Sequence, residues 1–187
     1  MPKVVDYEAR RLAISGVAAS LIAKGGIEAA TIRAIARESG YSKGVIEHFF
    51  ENKEELIDGA LTWANHRYEQ RIVKATQDLK GMDALRKRIE ATIPHSKSTF
   101  DEWKVRLVFW GMAEIKPRLR KKQEKRFRLA IEHFESDLHE AIGHKQISPD
   151  INTHNAARHL VNSITGISTA ALHSPSLYTA ELIAQEI

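Results

Sequence analysis

The stretch TIRAIARESGYSKGVIEHFF, residues 31–50, constrains the fold more than any other part of this 187-residue chain. It predicts two short helices joined by a sharp turn. The Thr31 hydroxyl can cap the first helix, and Gly40 can end it, because glycine adopts positive φ without a steric penalty. Ser42 can then cap a second helix over residues 43–50. The stretch therefore predicts a helix-turn-helix.

The second of these helices has one apolar side and one polar side. Ile46 and Phe50 are four residues apart, so we expect them to face inward, towards Ala36 of the first helix. The opposite side, here called the reading face, carries Lys43, Gly44, Glu47 and His48. The reading face is a candidate DNA-binding surface. By this pattern alone, an ordinary αα-hairpin in a helical protein is an equally good interpretation.

The longer stretch TIRAIARESGYSKGVIEHFFENKEEL resembles the N-terminal domain of the TetR family of one-component transcriptional repressors. The matching positions are Thr31, Ile35, Ala36, Gly40, Ser42, Gly44, Ile46, Phe50, Lys53 and Leu56. The chain departs from the family pattern at Glu47, where many members carry a base-contacting tyrosine or a serine. It departs again at Phe49, where Tyr or His commonly reaches a phosphate.

The resemblance implies an all-α fold with two domains. Residues 1–51 would form a three-helix helix-turn-helix DNA-binding domain. A connector helix would join it to a helical ligand-binding and dimerisation domain within residues 52–187. Apolar periodicity and helix-breaking residues predict about nine helices, over residues 6–24, 31–39, 43–50, 52–79, 83–93, 98–114, 117–142, 153–172 and 179–187. We expect Asn52 and Glu55 to form a capping box, and Gly81 to end the fourth helix.

The resemblance also implies which residues contact DNA. Thr31, Ser42, His48 and Lys53 match family positions that hold phosphates, and Gly44 matches a position of close backbone approach. Val45 would meet a thymine methyl group. Glu47 would read a base, and because a carboxylate can accept from cytosine N4, we expect a cytosine preference. The candidate DNA-binding residues are Thr31, Arg33, Ser42, Lys43, Gly44, Val45, Glu47, His48, Phe49 and Lys53.

The net charge of +4 is weak evidence for nucleic-acid binding, because it does not come from the predicted DNA-binding domain. Residues 1–56 contain eight Lys or Arg and eight Asp or Glu. The positions of Arg33, Lys43 and Lys53 at helix starts would therefore matter more than net charge. The chain is most basic over residues 116–128, with eight Lys or Arg and one Glu. We interpret this run as a solvated helix face rather than a second nucleic-acid or membrane site.

The most aromatic stretch, residues 98–114, resembles the C-terminal domain of BetI-like repressors, a subset that includes choline-responsive regulators. The family keeps its inducer pocket inside the bundle of middle helices. Most of these aromatic residues are expected to be core, but some should line the pocket. Tryptophan faces suit an apolar or quaternary-ammonium ligand. The candidate ligand-binding residues are Trp63, Trp103, Phe109, Trp110, Met112 and, as an acidic companion, Glu114.

Two later helices, near residues 117–142 and 153–172, resemble the pair that forms the four-helix dimer interface of the family. Small Gly166 would let a partner helix come close. The resemblance thus implies a homodimer that binds a palindromic double-stranded DNA operator and is released by a small-molecule inducer. Two alternatives are a helical protein-binding adaptor and a non-specific DNA-binding protein that uses the 116–128 run.

The remaining chemistry of the chain indicates no enzyme. The absence of cysteine excludes a disulfide framework, a thiolate nucleophile and a zinc–thiolate site. The pairs His133/His139 and His154/His159 lack the four-residue spacing of helical zinc ligands. No serine lies in a nucleophile elbow, so we expect no catalytic residue, metal or cofactor. Without a membrane-length apolar run or signal-peptide core, we expect a cytoplasmic protein.

Overall fold

The computed structural model describes residues 3–179 and 182–183, which form eight α-helices and no strand. The helices are α1 (Lys3–Gly25), α2 (Ile32–Ser39), α3 (Lys43–Phe49), α4 (Lys53–Thr76), α5 (Gly81–Thr92), α6 (Lys97–Ile115), α7 (Pro117–Gly143) and α8 (Thr153–His173). A short 3-10 helix, Ile27–Ala29, precedes α2. The predicted all-α fold is confirmed. The ninth predicted helix, residues 179–187, lies largely outside the described residues.

The helix-turn-helix forms through the caps that the sequence predicts. The Thr31 hydroxyl oxygen accepts a hydrogen bond from the Ala34 N–H at 3.1 Å, and the Ser42 hydroxyl oxygen accepts one from the Val45 N–H at 3.3 Å. Gly40 follows α2 in the left-handed conformation, with φ 73°. These bonds satisfy N–H groups that a helix start leaves unpaired, and the glycine turns the chain sharply between α2 and α3.

The predicted capping box at the start of α4 is present in a shifted form. The Asn52 side chain accepts from the Glu55 N–H at 2.9 Å. The Glu55 carboxylate accepts from the N–H of Glu51 at 3.1 Å, one residue earlier than in the standard motif. Both bonds fix the first turn of α4.

Gly81 begins a helix, so the prediction that it ends the fourth helix is wrong. It is the first residue of α5, with φ 57°, whereas α4 ends at Thr76. The Gly81 N–H donates to the Glu140 carboxylate at 3.3 Å, and the next N–H, of Met82, donates to the Gln146 side chain at 2.9 Å. The glycine is therefore required by packing against the end of α7.

The described helices pack as two compact units. The first contains residues up to Arg67 together with Phe100–Ile115, and thus α1, α2, α3, the first part of α4 and most of α6. Its core is apolar and includes the fully buried side chains of Ile14, Ile22, Ile35, Ile46, Phe50, Leu56, Leu61 and Phe109. These residues come from all five helices, so the helix-turn-helix belongs to one apolar core with α1, α4 and α6.

The second unit contains Tyr68–Thr99 and the chain from Lys116 onwards, so α5, α7 and α8 pack in it. A nearly buried ion pair joins α5 to α7: Arg88 Nε lies 2.5 Å from Asp137 Oδ2, and Arg88 Nη2 lies 3.0 Å from Asp137 Oδ1. Burial alone would lower the pKa of Arg88, but hydrogen bonding and the charge of Asp137 outweigh it and raise that pKa. Arg88 therefore stays charged. No described helix is both long and apolar enough to cross a bilayer.

Candidate DNA-binding surface and ligand site

The orientation of α3 leaves the reading face in solvent. Ile46 and Phe50 are buried in the first unit, as predicted, while Lys43, Gly44, Glu47 and His48 are exposed. Val45 is half-buried at the edge of this face. No atom lies within 4 Å of the place that a β-carbon on Gly44 would occupy. The backbone of α3 is therefore accessible at this position to a flat or grooved partner.

Two capping hydroxyls lie beside the reading face. Thr31 and Ser42 are exposed, and each uses an oxygen lone pair to accept its capping bond. A hydroxyl that accepts through a lone pair still has its hydrogen to donate. Phosphate oxygens are acceptors, so both caps can serve the helix and a DNA backbone at once. Arg33, in the first turn of α2, is also exposed.

Both lysines of the predicted surface are paired with carboxylates. Lys43 Nζ lies 3.2 Å from Glu47 Oε1, and Lys53 Nζ lies 2.9 Å from both carboxylate oxygens of Glu28. These pairs are exposed, and exposed ion pairs contribute only about 0–1 kcal/mol to stability. A phosphate can therefore replace either carboxylate at small cost.

A cavity of about 190 Å³ lies where the helix-turn-helix meets the start of α4. Its wall is formed by Ala30, Thr31, Ile32, Glu47, Phe50, Glu51, Asn52, Lys53 and Leu56. It brings together Thr31, which caps α2, Glu47 of α3 and Lys53, the first residue of α4. Two of the predicted phosphate contacts, Thr31 and Lys53, thus share one surface depression with the predicted base contact, Glu47.

Phe49 differs from the other predicted DNA-binding residues because it is only 7% exposed. Its ring packs against Tyr7 of α1, with 4.7 Å between centroids, and against His48 at 5.5 Å. This burial argues against direct contact of the Phe49 ring with DNA. The side chain is buried because the ring has no polar tip, and it supports the exposed His48 from below.

Two residues of α1 that the sequence interpretation did not select support the end of α3. The Arg11 Nε donates to the Phe49 carbonyl at 3.5 Å, and its guanidinium carbon lies 5.0 Å from the Phe50 ring centroid. Tyr7 packs edge-on against His48, at 6.1 Å. Tyr7 and Arg11 lie on the same helical stripe of α1 as the buried Ile14, Ala18 and Ile22, so a helical projection of α1 could have selected both. These contacts hold the orientation of the reading face.

The aromatic candidates for ligand binding all lie in the first unit. Trp103 and Phe109 are buried, while Trp63, Trp110 and Met112 are partly exposed. Trp103 and Trp110 meet edge to face, with 5.9 Å between centroids. Two of the tryptophans also hold a guanidinium group: Arg67 lies 5.0 Å from the Trp63 ring and Arg106 lies 5.3 Å from the Trp103 ring. The rings therefore already act as cation-binding surfaces.

The carboxylate that pairs with Arg67 over the Trp63 ring is Glu102, and the predicted Glu114 is exposed. The Glu102 side chain is fully buried, and its Oε1 accepts from Arg67 Nε at 3.3 Å. The spacing of Glu102, Arg106, Phe109 and Ala113 places all four on one stripe of α6, and all four are buried. A helical projection anchored on Phe109 would have selected Glu102 and excluded Glu114.

Other charged clusters lie in the second unit. Glu135 Oε2 lies 3.1 Å from His154 Nδ1, and Glu135 Oε1 lies 3.9 Å from His139 Nε2. Among the described residues, no group of three or more His, Cys, Asp or Glu could hold a metal ion. The basic run is on the first half of α7, where Arg118, Lys121, Lys125 and Arg128 are exposed. Its interpretation as a solvated face stays a prediction.

Sequence comparison identifies two matching families. Residues 14–60 match the profile described as "Bacterial regulatory proteins, tetR family", and residues 81–186 match "BetI-type transcriptional repressor, C-terminal". The HTH-type transcriptional regulator PksA of Bacillus subtilis is 31% identical over 117 residues, which are 62% of this chain and 57% of PksA. The match therefore spans little more than half of PksA. The regulator BetI of Serratia proteamaculans is 23% identical over 188 residues, with 98% of this chain and 92% of BetI covered.

Solved structures share the fold along most of the chain. A transcriptional regulator from Rhodococcus sp. Rha1 has a TM-score of 0.80 at 22% identity, covering 94% of this chain and 90% of its own. A regulator from Saccharomonospora viridis in complex with choline has a TM-score of 0.80 at 20% identity, covering 96% and 93%. AibR, in complex with isovaleryl coenzyme A and operator DNA, has a TM-score of 0.67 at 21% identity, covering 96% and 94%.

Proposed function

Because the chain belongs to the TetR family of bacterial regulatory proteins, with a C-terminal domain of the BetI type, we propose that it is a ligand-responsive transcriptional repressor. Its homodimer would bind a palindromic operator and leave it when a small-molecule inducer binds. The named relatives that match the chain are transcriptional regulators. No enzymatic step enters this proposal.

The exposed reading face carries the DNA-binding part of the proposal. A short helix is buried on one side and presents Lys43, Gly44, Glu47 and His48 on the other, with capping hydroxyls of Thr31 and Ser42 beside it. In a helix-turn-helix the second helix enters the major groove while neighbouring groups hold the phosphates. In our proposal α3 is the recognition helix. AibR, a solved relative in fold, is bound to operator DNA.

Dimerisation would set the spacing of the two recognition helices. Helices α7 and α8 pack on each other in the second unit, and α8 leaves Arg158, His159, Asn162, Ser163 and Gly166 exposed along its length. No atom lies within 4 Å of a β-carbon built on Gly166, so a partner helix can approach there. A two-fold axis through this pair would place two half-sites about one helical turn, or a multiple of it, apart.

The inducer is, in our proposal, a small organic cation such as a quaternary ammonium compound. Trp63 and Trp103 already hold guanidinium groups over their faces, and the buried Glu102 carboxylate supplies the opposite charge. Aromatic faces with a nearby carboxylate are the usual recognition site for such ligands. A neighbour in fold, from Saccharomonospora viridis, is in complex with choline.

The switch would act through α4, which carries both Lys53 at its start and Trp63 further along. A ligand changes the population of two states only by its difference in affinity for them, and a tenfold fall in operator occupancy requires about 1.4 kcal/mol. In our proposal the cation favours a tilt of α4 in which the two recognition helices no longer match the groove spacing.

A selection of bound duplexes from a random pool tests the DNA-binding part. We expect a palindromic consensus, and retardation of that duplex at low protein concentration. Failure to retard any duplex would favour the helical adaptor. Affinity that survives Lys43→Ala but falls when residues 116–128 are neutralised would favour the non-specific binder.

The selected duplex then tests the ligand part. Its affinity is measured at fixed salt with and without saturating choline. We expect at least about a tenfold loss of affinity with choline. Equal affinities would show that a quaternary ammonium ligand does not release this protein from DNA.

A further inference from the structure

The Arg67 side chain occupies the position that a ligand cation would need. Its Nε donates to Glu102 Oε1 at 3.3 Å, and its guanidinium carbon lies 5.0 Å from the Trp63 ring centroid. Pairing with a carboxylate and stacking on an aromatic face are the two contacts by which proteins hold organic cations. Arg67 makes both at once.

Exposure distinguishes the roles of the two charged partners. The Arg67 side chain is 45% exposed, whereas the Glu102 side chain is 0% exposed. The carboxylate is thus fixed inside the unit, while the arginine covers it from the solvent side. A buried carboxylate is unstable without a positive partner, and an arriving cation can replace a partly solvated arginine more easily than it can open a buried pair.

The exchange would change how two helices are held together. Glu102 belongs to α6 and Arg67 to α4, so the ion pair ties these helices within the first unit. A ligand cation that pairs with the Glu102 carboxylate supplies the positive charge that Arg67 of α4 supplies in its absence. Arg106 cannot replace this tie, because it lies on the same helix as Glu102.

The freed segment of α4 is connected to α1. Trp63 is one turn before Arg67, and its Nε1 lies 2.6 Å from the place of a β-carbon on Gly16. Loss of the Arg67 contact therefore acts on the turn of α4 that rests on α1. Helix α1 in turn holds the end of α3 through Tyr7 and Arg11.

We propose that Arg67 is an internal competitor of the inducer: its guanidinium occupies Glu102 and Trp63 in the unliganded protein, and its displacement by a ligand cation unties α4 from α6. The inference rests on the proposed function, because it takes the inducer to be an organic cation. It adds a residue whose removal should strengthen ligand binding while it weakens the response to the ligand.

Titration of the purified protein with tetramethylammonium chloride tests the competition, with sodium chloride at equal ionic strength as the reference. Binding is followed by tryptophan fluorescence and by calorimetry. If Arg67 occupies the site about nine-tenths of the time, Arg67→Ala should bind the probe about tenfold more tightly than the wild type. Arg67→Gln provides the same test with a smaller loss of packing, should the alanine variant fold poorly.

Arg71 offers a matched control on the same helix. It lies one turn later, where it donates to the Ala91 carbonyl at 2.8 Å and stacks on Tyr68 at 5.9 Å. Arg71→Ala should bind the probe as the wild type does. The double variant Arg67→Ala/Glu102→Gln should lose the gain, because the cation then meets no carboxylate.

A second readout follows the response of DNA binding, using the duplex selected as above. Saturating tetramethylammonium should release the wild type from that duplex but change the affinity of Arg67→Ala by less than about twofold. If Arg67→Ala binds the probe more tightly and is still released fully from the duplex, Arg67 does not couple ligand binding to DNA binding.

The two proposals fail in different ways. Probe binding to the wild type, with no increase in folded Arg67→Ala or Arg67→Gln, would overturn the competitor role and leave the cation-responsive repressor intact. Absence of probe binding in every variant would overturn both the ligand class and the competition. A wild type that still retards its operator in that case would retain the DNA-binding part of the proposed function.

Discussion

The Nε1 atom of Trp63 lies 2.6 Å from the position that a β-carbon on Gly16 would take. The indole of α4 thus rests directly on the backbone of α1, and only glycine leaves room for it. Through this contact Trp63, a residue of the proposed ligand site, touches the helix whose Tyr7 and Arg11 support α3.

Gly16→Ala should destabilise the protein by about 1–3 kcal/mol, because the added methyl forces the indole to move. Without a clash, replacing glycine by alanine inside a helix would stabilise the protein by about 1 kcal/mol. A loss of stability would therefore show that the added methyl clashes with the indole. Urea unfolding followed by tryptophan fluorescence measures it. Gly111→Ala in α6 is the control, since no atom lies within 4 Å of its β-carbon, and it should be neutral or stabilising. Equal effects of the two changes would contradict the close contact.

Gly44→Ala should separate folding from DNA binding. The added methyl meets nothing in the protein, so stability should rise by up to about 1 kcal/mol. If α3 enters the major groove, the same methyl blocks the close approach of the backbone, and operator affinity should fall about tenfold or more. Thermal unfolding and duplex retardation are measured on the same preparation. Unchanged affinity would indicate that α3 is only part of a structural hairpin.

Glu28→Gln should strengthen binding to every duplex, because Lys53 then loses the carboxylate that competes with phosphate. The gain should reach up to about fivefold, the equivalent of an exposed ion pair worth ~1 kcal/mol. Lys53→Ala should weaken binding and reduce the slope of log affinity against log salt by about 0.9. Glu38→Gln, which releases Arg37 and makes the same charge change, is the control. An equal gain from both glutamine variants would show an effect of net charge alone.

Glu47→Ala should remove the cytosine preference that we predict for the half-site. A carboxylate accepts from cytosine N4, and each good base contact contributes about 1–3 kcal/mol of discrimination. Repeating the duplex selection with the variant measures the change. Lys43→Ala, which removes the partner of Glu47 at 3.2 Å, should lower affinity without altering the consensus. An unchanged consensus in Glu47→Ala would show that the assignment of Glu47 to base reading is wrong.

Arg88→Ala should destabilise the protein by about 3–5 kcal/mol, because it removes the arginine that pairs with the nearly buried Asp137 carboxylate. Arg88→Met/Asp137→Leu, which removes both charges, should cost far less. Because the pKa of Arg88 is raised on folding, its charge contributes fully to stability at every pH below the pKa of arginine in the unfolded chain. The contribution of Arg88 to the free energy of unfolding should therefore not vary between roughly pH 5 and 9. Urea unfolding at several pH values measures both effects. Similar losses in the single and double variants would mean that packing dominates.

Local signals in the sequence were sufficient for the helix-turn-helix. Thr31 and Ser42 cap the helices that follow them, and Gly40 adopts positive φ, because each acts within three residues of its own position. Gly81 was misinterpreted for the opposite reason. Its positive φ is required by Glu140 and Gln146, which are about sixty residues away in the chain and which no local pattern connects to it.

The side chains of the proposed ligand site follow from the sequence only in part. Aromatic composition pointed to α6 and to Glu114, which is exposed, whereas Glu102 is buried. The two acids are twelve residues apart, which places them about 120° apart around the helix. The choice between them depends on which side of α6 faces inward. The contact of Arg67 with Glu102 depends on the packing of two helices, so no spacing in the sequence reports it.

Glu47 and Glu28, which pair with Lys43 and Lys53, would also affect how a few copies of this protein find one operator in a chromosome. Arbitrary duplex attracts proteins through bare positive charge, and each of these two lysines faces an acid until a fitting groove arrives. Chance encounters would therefore be brief, and most molecules would stay in the free pool rather than be sequestered along unrelated genes. A small number of repressor molecules would then be enough to keep one operator occupied.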